Sequence, residues 1–286
     1  MKILLLIIAF SLGLPSWAQT SADSLTLVGA QWDILKVGSG LRAMHCQFPM
    51  LYGGAQDVYM LEIKRSGHTF EMLDHQVTGT TSHKADSVLA LAAINGTYFD
   101  MGKSERSVCF VAHQGKVVEY SGGSMGQLTN GAVVMRGNRL KIVPWNVNTE
   151  QQLYPAGQAI SSLRNQDVMV SGPLLLLDGQ RPTFRDESHI MGKHPRSAIA
   201  CRDNKVYLIV VDGRAPHRAL GVTIPELAHM LQVLQMQEAI NLDGGGSSTL
   251  WARPRFPSER TCGILNHPSD RSGERSVSNS IVVLGK

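Results

Sequence analysis

The chain has 286 residues, of which 43% are hydrophobic and 17% are charged, and its formal net charge is +4. These fractions are those of a globular protein with enough chain to bury a core, so they exclude a disordered or fibrous polypeptide. The basic residues form no dense run, which argues against nucleic acid as a partner.

The first 18 residues have the pattern of a secretory signal peptide. Lys2 precedes an apolar stretch at 3–14, and Ser16-Trp17-Ala18 places small residues at a cleavage site before Gln19. The apolar stretch is shorter than the roughly 20 residues that span a bilayer. We therefore predict cleavage after Ala18, a mature protein without a transmembrane segment, and a periplasmic or secreted location.

Short apolar or β-branched runs bounded by turn residues predict that strands dominate the rest of the chain. The predicted strands are 58–63, 108–112, 116–120, 132–135, 140–143, 168–170, 174–177, 197–200, 206–211, 239–242 and 280–284. The turns at 136–139 and 202–205 suit β-hairpins. We expect an α+β fold with a mixed, largely antiparallel sheet, in which a strand-rich segment at 19–80 packs on a main domain at 81–286.

Two helices are predicted. Thr223 and Glu226 have the spacing of a capping box, and apolar residues then recur at i, i+3, i+4 and i+7, so this helix should run to about Gln237. A second helix is predicted at 84–92, where four apolar residues fall on one helical face.

The four cysteines are widely spaced and include no CxxC pair, which argues against a structural zinc site. They are Cys46, Cys109, Cys201 and Cys262. Export permits disulfides, but the spacing does not give their pairing. Buried free thiols are the alternative for Cys109 and Cys201, which lie in apolar runs.

The strongest local signal is a loop that follows the predicted strand 239–242. Asp243 is followed by Gly244, Gly245 and Gly246 and then by the hydroxyl side chains of Ser247, Ser248 and Thr249. Three consecutive glycines are conformationally expensive, so we expect their N–H groups to form a nest that binds an anion. An ordinary glycine turn is the alternative.

A second apolar strand ends in Asp212-Gly213-Arg214. If both strands deliver an Asp-Gly pair to one sheet edge, Asp212 and Asp243 lie close together. Such carboxylates can divide acid and base roles or share a divalent cation, Ca²⁺ or Mg²⁺, although the sequence does not establish a metal or any other cofactor. Asp212 could equally belong to an ordinary turn, and for Asp178-Gly179 that interpretation is the stronger one.

Two further positions suit a phosphorylated sugar. Arg196 begins a predicted strand and could present its planar guanidinium fork to a phosphate. Asn95 places an amide close to the aromatic rings of Tyr98 and Phe99, an arrangement that can hold a sugar ring. The alternatives are a surface charge for Arg196 and a hairpin turn with core aromatics for 95–99.

Together these motifs resemble the phosphodiester glycosidase family over roughly residues 90–284. The matching stretches, in the same order and spacing, are 95–99, 171–173, 194–200, 210–214, 223–226, 239–250, 266–270 and 273–279. The resemblance implies hydrolysis of the C1–O–P bond of a carbohydrate phosphodiester, in a glycan or an envelope phosphoglycan. It places in the site Asn95, Tyr98, Gly172, Arg196, Asp212, Asp243 and the loop Gly244, Gly245, Gly246, Ser247, Ser248. The stretches 19–80 and 186–193 depart from the family pattern, and we expect them to shape substrate choice.

For this reaction we expect Asp243 to face the oxocarbenium-like carbon, as nucleophile or as base toward water. Arg196 and the glycine loop would hold the phosphate, and Asp212 would be a second acid/base or a cation ligand. Two other functions stay open at this point. One is a non-catalytic glycan- or phosphoglycan-binding protein, and the other is a phosphodiesterase that cleaves the P–O bond.

Overall fold

The computed structural model describes residues 21–126, 128–155, 161–253 and 263–286, with the backbone alone at 74–77 and 161. The predicted signal peptide and Cys262 lie outside the described residues. None of the helices in these ranges has the length and apolar character needed to cross a membrane.

Sixteen strands in these ranges form three sheets, and every paired strand is antiparallel to its neighbour. The strands are β1 (Asp33–Gly38), β2 (Leu41–Leu51), β3 (Gly54–Lys64), β4 (His68–Thr80), β5 (Ala92–Asn95), β6 (Val111–His113), β7 (Lys116–Glu119), β8 (Gly131–Arg136), β9 (Arg139–Pro144), β10 (Asp167–Ser171), β11 (Leu174–Leu176), β12 (Arg196–Arg202), β13 (Lys205–Val211), β14 (Glu238–Asn241), β15 (Leu250–Ala252) and β16 (Ser276–Gly285). Their orders are β1-β2-β3-β13-β12-β14-β11, β7-β6-β10-β8-β9 and β15-β5-β16-β4.

Short helices cover and connect these sheets. They are α1 (Ser21–Val28), α2 (Thr81–Ser87), α3 (Gly123–Gly126), α4 (Glu150–Leu153), α5 (Ser188–Met191) and α6 (Ile224–Val233), with 3₁₀ turns at Val147–Thr149, Ser161–Leu163 and Gly245–Ser247. The α+β fold class is therefore confirmed.

The central strands β12, β13 and β14 are buried on both faces. One face packs in a core with Leu208, Val210 and Ile240, and the other packs beneath α6 with Ile209 and Ala239. Because both faces are covered, these strands are almost continuously apolar in sequence, which is why they could be predicted.

Helix α6 begins as predicted and ends earlier. Thr223 Oγ1 accepts the backbone N–H of Glu226 at 3.2 Å, and the Glu226 carboxylate accepts the N–H of Thr223 at 2.8 Å, which completes the capping box. The helix ends at Val233 rather than Gln237, since Gln235 adopts a positive φ of 60°.

The helix predicted at 84–92 is wrong in its second half. Helix α2 covers Thr81–Ser87, Leu89 has a positive φ of 54°, and the chain continues into β5. Strand β5 lies between β15 and β16, so its apolar residues are buried by sheet pairing rather than by one helical face. A short apolar run does not distinguish these two kinds of burial.

Both predicted hairpins form, at Arg136↔Arg139 and Arg202↔Lys205. In the segment 19–80, β3 pairs with β13 and β4 pairs with β16, so two of its strands belong to sheets built with later strands. Cys46, Cys109 and Cys201 are buried free thiols, so no disulfide joins these three.

Candidate active site

The two Asp-Gly pairs meet at one end of the seven-stranded sheet, on either side of Pro195. Val211 pairs with Arg196, and the N–H of Leu242 donates to Ser197 O at 2.9 Å, so β12 lies between the ends of β13 and β14. A Cβ on Gly213 would lie 2.7 Å from Pro195 N, and one on Gly244 would lie 2.7 Å from Pro195 O. Both turns therefore need glycine for close backbone approach.

Asp243 lies just beyond β14, and part of the residue is exposed. Burial raises its pKa to about 6, although hydrogen bonds from Ser247 and the Gly244 N–H and the charge of Arg275 act in the opposite direction. A carboxyl group with this pKa exchanges its proton close to neutral pH, which is a property of many catalytic acids and bases.

Asn95 fixes the backbone around Asp243. Its Nδ2 donates to Asp243 O at 2.7 Å, and its Oδ1 accepts the Ser197 hydroxyl at 2.8 Å and the Thr249 N–H at 3.2 Å. The side chain is fully buried. Asn95 therefore joins β5, β12 and the glycine loop, and these contacts make it a positioning group.

Tyr98 and Gly172 form a buried wall beside Asp243. The Tyr98 hydroxyl donates to Gly172 O at 2.7 Å, and Asn241 Nδ2 donates to both of these oxygens at 2.9 Å. Burial and then the charge of Asp243 raise the pKa of Tyr98, so the two side chains are electrostatically coupled. Contact of Tyr98 or Gly172 with a sugar stays a prediction.

The glycine loop does not form the predicted nest of free N–H groups. The N–H of Gly245 donates to Pro195 O at 2.9 Å, and those of Ser247 and Ser248 close the 3₁₀ turn onto Gly244 O and Gly245 O. Local packing and backbone conformation favour these glycines instead. A Cβ would meet Pro195 O at Gly244 and the ion pair of Arg275 with Asp270 at Gly246, and Gly245 has a positive φ of 61° beneath the guanidinium of Arg214.

Arg196 lies against Gly244, but its guanidinium is already engaged. Nε donates to Val222 O at 3.0 Å, and Nη2 donates to His189 O and Gly192 O at 2.8 Å. Burial lowers its pKa to about 10. The predicted bidentate fork is therefore not free in this arrangement, because the carbonyl groups around β12 use two of its three nitrogens.

Asp212 is almost fully buried, and both of its carboxylate oxygens are occupied. Oδ1 accepts Asn266 Nδ2 at 3.0 Å, while Oδ2 accepts the His267 N–H at 3.0 Å and Arg218 Nη1 at 2.9 Å. Burial raises the pKa of Asp212, offset in part by these three partners. The structure therefore brings Asp212 to the predicted end of the sheet, where a proton on its carboxylate would have to compete with three donors.

The arrangement around Asp212 also does not fit the predicted divalent cation. Asp57, Asp212 and His267 offer ligand atoms within 4.8 Å of one another. Arg218 Nη1 lies between them, 2.9 Å from each carboxylate and 2.6 Å from His267 Nδ1. The guanidinium thus stands where a metal would bind and already supplies the positive charge.

Sequence reasoning did not assign a role to any residue of the loop 266–270, although the resemblance covered it. Asn266 Nδ2 donates to Asp212 and to Ser248 O at 3.0 Å, so it joins the two Asp-Gly turns. Asp270 binds Arg275 through two hydrogen bonds of 2.8 and 3.0 Å. The position of this loop is set by tertiary contacts that no local pattern encodes.

Positive charge surrounds the glycine loop. Burial lowers the pKa of His194, and the charges of Arg196, Arg214 and His189 lower it further. Mutual repulsion of this kind is relieved when an anion binds among the basic groups. The site therefore combines two carboxylates of raised pKa, Asp243 and Asp212, with a cluster of basic residues.

Similarity to solved structures extends over most of the chain. The catalytic domain of zebrafish N-acetylglucosamine-1-phosphodiester alpha-N-acetylglucosaminidase, auto-inhibited by its pro-peptide, is 18% identical with a TM-score of 0.66, over 90% of this chain and 88% of that one. A hypothetical protein from Synechocystis is 17% identical with a TM-score of 0.62, over 90% and 64%. A Burkholderia pseudomallei protein described as exported is 16% identical with a TM-score of 0.57, over 82% and 75%. At these identities the likeness establishes the fold.

The family assignment comes from the sequence. A comparison with curated proteins finds no match. The family model for phosphodiester glycosidases matches residues 89–284, which is more than half of the chain and includes every site residue predicted from the sequence. The chain therefore belongs to the phosphodiester glycosidase family.

Proposed function

We propose that the protein hydrolyses the C1–O–P bond of a sugar 1-phosphodiester, with Asp243 as the carboxylate that faces the anomeric carbon. The observation that carries this proposal is the position of Asp243. It is a residue whose carboxyl group has its pKa raised by burial to about 6, beside a loop against which three arginines pack.

The chemistry suits such a site. Above pH 6 the carboxylate is ionised and can stabilise positive charge at C1, as nucleophile or as base toward water. A phosphate monoester is a good leaving group, so the reaction requires little help from a general acid. Basic groups can stabilise the negative charge that develops on the departing phosphate. Asp212, whose oxygens already accept three hydrogen bonds, is not required for proton transfer. Its role in this proposal is to hold Asn266, which in turn contacts the glycine loop at Ser248.

The proposal extends to the class of substrate and the location of the enzyme. We propose a glycan or envelope phosphoglycan as substrate and a periplasmic or secreted enzyme. The signal-peptide pattern at 1–18 and the structural neighbour described as exported support this location.

Isotope labelling tests the reaction. The protein is incubated with a hexose 1-(methyl phosphate) diester in oxygen-18 water, and the products are analysed by mass spectrometry. Label in the sugar supports the proposal. Label in the phosphate would instead identify a phosphodiesterase, and saturable binding without turnover would identify a binding protein.

A further inference from the structure

The arginines at the end of the seven-stranded sheet differ in their partners. Arg196 donates to backbone carbonyl groups, Arg218 bridges two aspartates, and Arg275 pairs with Asp270. Arg214 is exposed, and its hydrogen bond to Ser269 Oγ is long, at 3.5 Å. Within the described part of the chain, no carboxylate forms an ion pair with Arg214.

The backbone holds Arg214 in an uncommon conformation. Its φ is +60°, a region that a residue with a long side chain seldom occupies and that stores strain unless surrounding structure requires it. Strained residues of this kind concentrate at functional sites. The positive φ of Arg214 occurs directly after Asp212-Gly213, where the chain leaves the end of β13.

The guanidinium of Arg214 lies on the loop that follows Asp243. Arg214 Nη2 is 2.9 Å from the position that a Cβ on Gly245 would take, so any larger residue at Gly245 would have to displace it. Gly245 itself has a φ of +61°, which glycine adopts freely. The guanidinium of Arg214 therefore packs on a positive-φ glycine that lies two residues after Asp243.

The charge of Arg214 is not neutralised where it lies. After burial, it is among the positive charges that lower the pKa of both His194 and Arg196. These groups repel one another in the absence of an anion. A phosphate oxygen at this place would remove the repulsion and form charge-assisted hydrogen bonds with the forked guanidinium.

We infer that Arg214, rather than Arg196, binds the phosphate of the substrate, and that it makes the site selective for anionic phosphodiesters over neutral glycosides. The identity of the anion as a sugar phosphodiester rests on the proposed function. The binding of phosphate does not.

Phosphate binding is the first test, and it requires no turnover. Inorganic phosphate is titrated by calorimetry into the wild type, Arg214→Gln, Arg214→Lys and the control Arg139→Gln, which removes the same charge from an exposed position on the β8–β9 hairpin. We expect Arg214→Gln to weaken binding by about 10- to 100-fold, the range for a charged hydrogen bond, and Arg214→Lys to weaken it less. The control should match the wild type.

Turnover separates this inference from the proposed function. With a hexose 1-(methyl phosphate) diester, Arg214→Gln should lower kcat/KM by a similar factor, while activity toward a neutral aryl hexoside, where present, is unchanged. Phosphate binding that depends on Arg214 in a protein without turnover would preserve the inference and contradict the proposed function. Turnover with unaltered kcat/KM in Arg214→Gln, or phosphate binding unaffected by that change or absent from the wild type, would overturn the inference.

Discussion

Two Asp-Gly turns that look alike in sequence differ in what surrounds their carboxylates. Asp212 and Asp243 each follow an apolar strand of one sheet, and the glycine after each packs against Pro195. Asp212 is 1% exposed and both of its oxygens accept hydrogen bonds from Asn266, His267 and Arg218. Asp243 is partly exposed, and its side chain is held by one hydroxyl and one backbone N–H.

This difference separates a structural carboxylate from a reactive one. A proton on the Asp212 carboxylate would have to compete with three protein donors that are fixed by the fold, although burial raises its pKa. A carboxylate held by a rotatable hydroxyl, as Asp243 is by Ser247, can gain or lose a proton without rebuilding its surroundings. We therefore expect substitutions at the two positions to act on different properties of the protein.

The largest expected effect is on turnover at Asp243. Asp243→Asn preserves the size of the side chain but removes the charge that stabilises the transition state, so kcat should fall by a factor on the order of 10³, about 4 kcal/mol. Steady-state kinetics on the hexose 1-(methyl phosphate) diester measures this. Asp178→Asn is the matched control, since Asp178-Gly179 is an exposed turn after β11 and Asn also tolerates its positive φ of 50°.

The same substitution should not unfold the protein. Asn can accept the Gly244 N–H through its oxygen and donate to the Ser247 hydroxyl, which rotates to accept. Burial raises the pKa of Asp243 from 3.8 to about 6, so its ionised form opposes folding at pH 7. The free energy of unfolding therefore falls as pH rises from 3.8 to 6, because the unfolded chain loses this proton first. Asp243→Asn removes that loss and should stabilise the fold at pH 7 by about 1–3 kcal/mol. Near-normal turnover by a folded Asp243→Asn protein would assign the chemistry elsewhere.

Much of the fold could be predicted because its central strands are apolar on both faces. The strands at 197–200, 206–211 and 239–242 and the capping box at Thr223 followed from local pattern alone. The strands β1, β2, β4, β5 and β15 were missed. Strand β1 is an exposed edge strand in which the adjacent Ile34 and Leu35 break the alternation of apolar and polar residues. Strand β5 has four residues, which is too short to distinguish from a helical turn by sequence.

That the two Asp-Gly turns lie close together could be predicted from sequence, but the surroundings of each carboxylate could not. Both turns follow strands that lie on either side of β12 in one sheet, and the structure places both glycines against Pro195. The partner of each carboxylate could not be predicted. Asn266 reaches Asp212 and Arg275 reaches Ser247 across long stretches of chain, and no local pattern indicates that Arg218, six residues after Asp212, turns back to it. The same limit explains why the glycine run suggested an anion nest, although close packing on Pro195 and on the Arg275–Asp270 pair and the positive φ of Gly245 account for the three glycines.

A smaller effect, on stability, is expected at Asp212. Asp212→Asn replaces one accepting oxygen with an NH₂ group, which then faces a donor, either Asn266 Nδ2 or Arg218 Nη1. We expect a loss of about 2 kcal/mol in the free energy of unfolding, because relief of the buried charge offsets only part of this conflict. Urea denaturation at pH 7 measures it.

The two aspartate substitutions should change stability in opposite directions, and this difference in sign separates their roles. Asp212→Asn should destabilise and leave kcat within about tenfold of the wild type, whereas Asp243→Asn should do the reverse. An Asp212→Asn protein of normal stability that loses kcat as severely as Asp243→Asn would show that both carboxylates take part in the chemistry.

The smallest expected effect is a shift in the pH profile, and it tests why Asp243 titrates where it does. The carboxylate must be ionised to act, so kcat/KM should rise with pH through about 6 and level off above it. Arg275 contacts Ser247, its charge lowers the pKa of Asp243, and Asp270 holds it in place. Arg275→Met should therefore move the midpoint to higher pH, and at pH 6 it should reduce kcat/KM several-fold more than at pH 8.

This shift distinguishes an electrostatic role of Arg275 from a merely structural one. The other groups that face Asp243 are the Gly244 N–H and the side chains of Tyr98 and Cys109, and neither side chain is charged in this pH range because burial raises the pKa of both. Arg275 is thus the charge whose removal should move the midpoint. Arg271→Gln, an exposed arginine on the adjacent turn, should leave it in place. A loss of activity in Arg275→Met that is equal at pH 6 and pH 8 would mean that Arg275 shapes the loop without changing the pKa of Asp243.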